Sequence, residues 1–112
     1  MLKQLTSQEQ LQHQVDQIAK ELNEGATCED CGETMSGFDY IEDVLDIQYI
    51  ISSKKEFLGS RILVAFGGPN IWINTQTKTV EGYWWGDKAF ASYYNDEMDI
   101  EGAVQELWDC IA

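Results

Sequence analysis

The feature that most constrains this chain is the stretch from Arg61 to Asp87. A nearly continuous apolar run, Arg61-Ile62-Leu63-Val64-Ala65-Phe66, is cut by Gly67-Gly68-Pro69. Proline fixes φ and lacks an N–H, and glycine tolerates positive φ, so the chain must turn a corner there. Ile71 and Ile73 then alternate with Trp72 and Asn74, a polar bend follows over 75–79, and Val80, Tyr83 and Trp85 resume the apolar pattern. This predicts strands over 61–66, 71–75 and 80–85, joined antiparallel by short turns. The unbroken 61–66 run reads as a central strand buried on both faces.

A strand over 47–51 precedes them, rich in β-branched and aromatic residues and closed by Ser52-Ser53-Lys54-Lys55. Upstream, Leu11, Val15, Ile18 and Leu22 trace one face of a helix over 7–24, with Ser7 as N-cap, Gln10 completing a capping box and Gly25 as terminator. This stripe packs on the protein's own core or pairs with a second copy. Residues 25–37 form a loop, a short helix covers 38–45, and a last helix covers 99–110 behind an Asp99 cap. Residues 88–95 carry no decisive pattern. The expected architecture is a single α+β domain over 1–112. It is an antiparallel meander of about four strands with an N-terminal helix, a short second helix and a C-terminal helix on one face.

Charge sets the functional expectation. The 112-residue chain holds 20 acidic against 7 basic side chains, a net charge of -13. That repels nucleic acid and anionic membrane and speeds encounter with a basic partner. The charge is blocked. Residues 25–51 carry acids and no base, as do residues 89–112, while Lys54, Lys55, Arg61 and Lys78 lie between. Carboxylates on outer helix faces are often merely solvated. The functional alternative is that Asp39, Glu42, Asp43 and Asp46, with Asp96, Glu97 and Asp99, reproduce the spacing of phosphates and occupy a cationic groove. Alternation puts Trp84 on the face opposite Tyr83 and Trp85, so one aromatic set stays outside the core. Trp72 and Trp84 are the expected anchors for a protein partner.

Catalytic signals are sparse. Cys28-x-x-Cys31 has metal or redox spacing, but the further candidate zinc ligands, Cys110 and His13, lie far away in sequence, and acids fill the spacer. Inert thiols are the plainer reading and no cofactor is expected. His13 falls on the polar flank of its helix, and no nucleophile motif accompanies it. The Gly67-Gly68 pair does not fit a phosphate loop, and no EF-hand loop is present. Glu81 and Asp87 could pair for glycoside chemistry but lack an evident cleft. No apolar run is long enough to span a bilayer and no signal-peptide core opens the chain, so a cytoplasmic protein is expected.

The block Ala65-Phe66-Gly67-Gly68-Pro69-Asn70-Ile71-Trp72, followed by Val80-Glu81-Gly82-Tyr83-Trp84-Trp85-Gly86-Asp87, resembles a pattern in small acidic bacteriophage and prophage proteins. The resemblance spans roughly residues 45–112. It implies a genomic setting in a bacterial host and carries no catalytic residues. By analogy of size, charge and setting, the expectation is a non-enzymatic inhibitor of a host nucleic-acid-binding defence enzyme, of anti-restriction or anti-CRISPR type, acting as a DNA mimic. The alternative is a small structural or regulatory module, dimeric through the 7–24 helix or zinc-stabilised through Cys28 and Cys31.

Overall fold

The computed structural model describes residues 6–27 and 32–111. Three helices and five strands follow in the order α1 (Ser7–Glu24), α2 (Gly37–Glu42), β1 (Asp46–Ile51), β2 (Phe57–Ala65), β3 (Asn70–Asn74), β4 (Thr79–Trp84), β5 (Asp87–Ser92) and α3 (Ile100–Ile111). The strands form one antiparallel meander in sequence order. The α+β expectation therefore holds, with one strand more than foreseen. That strand, β5, comes from the segment whose sequence gave no pattern.

Register sorts every side chain onto one of two faces. On the first, Ile47, Ile62, Ile73, Val80 and Ala91 lie in one cross-strand row, and Ile71, Gly82 and Ala89 in the next. The helices cover this face. Helix α1 crosses β4 and β5 through Leu11, Val15, Ala19 and Leu22, all buried, so the apolar stripe is spent on the protein's own sheet. The approach is close because the strand residues beneath are small. A Cβ built on Gly82 would stand 2.8 Å from both Leu11 and Val15. Helix α3 lies over β2, with Trp108 tilted against Tyr49 of β1 at 5.4 Å between ring centroids. Helix α2 packs on α3, and Gly37 sits directly against the backbone of Met98 and Asp99, where a side chain would collide.

The other face is open among the described residues. One row runs Asp46, Leu63, Trp72, Glu81, Phe90 across all five strands; the next runs Gln48, Arg61, Asn74, Thr79, Ser92. This corrects the expectation that 61–66 is buried on both faces. Ile62 is fully buried, but Leu63 turns to the open face and Phe66 lies beyond the strand, 72% exposed. An apolar run there reflects one core face, one self-packing face and a loop.

Caps explain where the helices begin. Thr6, not Ser7, is the N-cap of α1. Its hydroxyl accepts from the Glu9 N–H at 3.1 Å while the Glu9 carboxylate takes the Thr6 N–H. The box has shifted by one residue because Glu9 is a better return acceptor than Gln10. Ser36 and Asp39 make the same reciprocal pair for α2. Asp96 accepts from the N–H groups of Ile100 and Glu101, and Asp99 from that of Gly102, so two carboxylates cap α3.

Candidate functional site

Two surfaces stand out, and of the anticipated aromatic anchors only Trp72 lies on one of them. On the open face, Arg61 is the centre of a small network. Its guanidinium lies 4.3 Å from the Trp72 ring centroid and 3.1 Å from Glu81, which also accepts from the Tyr83 hydroxyl at 3.2 Å. Tyr83 meets Phe90 edge-on at 6.1 Å. Cation–π stacking and a shared carboxylate hold these side chains flat on the sheet. Trp72 is therefore a half-buried member of a satisfied cluster.

Trp84 belongs to the opposite face. Two residues along β4 from Gly82, it packs at the rim of the helix-covered core. Trp72 and Trp84 cannot anchor the same partner surface. Trp85, expected within the strand, instead occupies the β4–β5 turn with Gly86. Both residues have positive φ, 49° and 86°, as a type I′ hairpin turn requires. Trp85 is 90% exposed and leans on Trp84. The turn and the β2–β3 loop flank a shallow groove of about 410 Å³ that includes Phe66, Tyr83, Trp84 and Trp85.

The second surface is acidic and lies at one end of the helical layer. Asp39 of α2 and Asp96, Glu97 and Asp99 before α3 come together because Gly37 packs on residues 98–99. The C-terminal end of α1 joins them: the Glu97 N–H bonds to the Leu22 carbonyl at 3.1 Å, and Gly25 lies against the Glu97 side chain. Glu21 and Glu24 of that last turn therefore stand at the same end. Carboxylates from the two blocks seen along the chain thus meet on one flank. Asp46 does not belong to it, since its register places it on the open face beside Leu63.

These carboxylates are not equivalent. Asp39, Asp96 and Asp99 accept backbone N–H groups at helix starts, where negative charge is favourable. Glu42 and Asp43 are exposed at the opposite end of α2, where the helix dipole disfavours them, as it does Glu21 and Glu24 on α1. No described helix carries a basic residue in its last turn. Among the described residues the one ion pair within 4 Å is Arg61–Glu81, on the open face.

A cavity of about 490 Å³ opens beside this flank, lined by Glu21, Tyr40 and Asp43 over apolar walls from Met35, Val44 and Val64. Burial raises the Glu21 carboxyl above its ordinary range. Burial, and then the Glu21 charge, pushes the Tyr40 hydroxyl up to about 12. Negative potential and apolar walls together suit a long cationic side chain.

The zinc alternative falls on residues outside those described. Cys28 and Cys31 lie outside the described residues, Cys110 is exposed, and His13 is a solvated residue of α1. Among the described residues no group of three or more His, Cys, Asp or Glu could hold a metal ion. No described helix is long and apolar enough to cross a membrane. Comparison with protein families, curated proteins and solved structures returns no match.

Proposed function

We propose that this chain is a binding protein, not an enzyme, that offers its acidic helical end to the cationic groove of a host nucleic-acid-binding defence enzyme and competes there with DNA. One observation carries the reading: carboxylates of α1, of α2 and of the approach to α3 share one end with no ion pair within 4 Å among the described residues, and Glu21 and Glu24 stand at a helix C-terminus where they cost stability. Capping accounts for Asp39, Asp96 and Asp99, but fold stability gives no reason for Glu21 and Glu24, whereas a cationic partner does. Counterion release and steering would favour the complex as they favour DNA itself. Within the flank, the cavity bounded by Glu21, Tyr40 and Asp43 is the natural receptacle for one lysine or arginine of the partner. The phage-type resemblance and the charge point to the anti-restriction or anti-CRISPR class.

The test is competition against purified restriction endonucleases and CRISPR effector complexes, following duplex DNA binding at two ionic strengths. Glu42→Lys with Asp43→Lys is the informative variant, because both residues are exposed at the C-terminal end of α2 and neither carboxylate accepts a capping hydrogen bond. Displacement of DNA by the parent protein, weakened about tenfold or more by the double reversal and by added salt, supports the reading. Displacement indifferent to the reversal removes its basis.

A further inference from the structure

The two edges of the sheet are treated differently. On β5, outward carbonyls are occupied: Gln8 Nε2 donates to the Lys88 carbonyl at 2.6 Å and Gln12 Nε2 to the Phe90 carbonyl at 3.0 Å. Helix α1 thus seals that edge against another strand. On β1 the opposite holds. Ser60 turns both backbone groups to Thr75 on the β3 side, its N–H donating to the Thr75 hydroxyl and its carbonyl accepting the Thr75 N–H. Alternation then turns the backbone groups of Arg61 and Leu63 toward β1, where they meet Gln48 and Asp46. The N–H and carbonyl groups of Ile47 and Tyr49 consequently point away from the sheet, with no partner among the described residues.

We infer that β1 is a self-association edge, pairing antiparallel with β1 of a second copy across a two-fold axis to make a continuous ten-stranded sheet. Closure selects the occupant. A foreign strand added at β1 would leave its own outer edge unpaired. A second copy leaves only the two β5 edges, whose Lys88 and Phe90 carbonyls are already taken by Gln8 and Gln12. Charge agrees. The acidic end of β1, with Glu42, Asp43 and Asp46, meets the partner's Lys54-Lys55 turn when the strands run antiparallel, and both lysines are exposed. Placing Ile47 opposite the partner's Tyr49 pairs the outward groups of both residues in both copies and puts Gln48 opposite its own copy. Ile51 and Leu45, 40% and 59% exposed, bracket the seam, and the exposed Ile111 lies one turn beyond Trp108 on α3.

Gln48 is then a non-hydrogen-bonded pair on the axis, with Cα atoms about 4.5 Å apart, within the span of a disulfide. In a background with Cys28, Cys31 and Cys110 changed to serine, Gln48→Cys should oxidise to a covalent dimer at least about tenfold faster than Thr77→Cys in the β3–β4 turn. Sedimentation equilibrium of the parent chain should show a monomer–dimer equilibrium that ends at the dimer. Ile47→Pro removes one outward N–H without touching the β1–β2 ladder and should abolish it, with circular dichroism confirming the fold. Lys54→Glu with Lys55→Glu should weaken it about fivefold and stands as the second arm if the proline variant unfolds. Monomer at every concentration, equal oxidation rates, a dimer indifferent to these variants, or open-ended polymers would each overturn the assignment. Glu42 and Asp43 enter both readings, but the dimer is read by sedimentation and oxidation without DNA or a host enzyme, so its failure is distinguishable from failure of the DNA-competition reading.

Discussion

At the scale of single residues, glycine and tryptophan positions carry the sharpest consequences. Gly82 is where α1 comes closest to the sheet. Gly82→Ala forces Leu11 or Val15 to move, because 2.8 Å is shorter than any relaxed carbon contact. The expected loss is about 1–3 kcal/mol, read as a lower denaturation midpoint with an unchanged slope. Trp85 gives the opposite sign. A bulky residue at φ 49° in a two-residue turn costs conformational energy and, at 90% exposure, recovers little packing. Trp85→Asn should therefore raise stability by about 0.5–1 kcal/mol. If Trp85 serves partner binding, the same variant weakens the complex while stabilising the fold.

At the scale of elements, helix ends and sheet edges decide behaviour. Glu21 at the end of α1 and Glu101 at the start of α3 are both raised above the ordinary carboxylate range, Glu21 by burial and Glu101 by burial and then the Asp96 charge. The sign follows from linkage. Between the unfolded and the raised folded values, the folded state holds the proton and the unfolded state has lost it, so stability falls as pH rises through that window. Mild acidification toward the carboxylate range should stabilise the protein, and Glu21→Gln with Glu101→Gln should flatten the thermal-midpoint profile there. The β5 edge gives a second prediction. Gln8→Val with Gln12→Val strips the seal from the Lys88 and Phe90 carbonyls. Concentration-dependent assemblies larger than a dimer should then appear in light scattering.

For the whole molecule, charge and architecture are separated by layer. The helical layer gathers most of the acids, while the open face holds the Arg61–Glu81 pair among aromatic neighbours. A net charge of -13 opposes compaction, so raising ionic strength should raise the unfolding free energy by about 1 kcal/mol through screening of self-repulsion. The same salt should weaken a complex formed with a cationic groove, and this opposition separates a charge that serves binding from one that serves only solubility.

Much of this was legible in the chain. The period of Leu11, Val15 and Leu22, the Gly-Gly-Pro corner and the alternation around Ile71 and Ile73 gave α1 and the meander, because burial periodicity is a local property of the backbone. Caps were legible to within a residue: Asp99 was placed correctly, and Thr6 was missed beside an equally suitable Ser7. Strand β5 was not legible. Its helix-side positions are Ala89 and Ala91, small because α1 lies on top of them, and that requirement exists only once the helix is in place. Likewise, composition announced an acidic protein, but only the packing of Gly37 on residues 98–99 brought carboxylates of two distant blocks onto one flank. Only the register parted Trp72 from Trp84. Local pattern determined what each segment becomes; long-range contact decided which residues share a surface, because adjacency across a sheet or between helices has no trace in chain order.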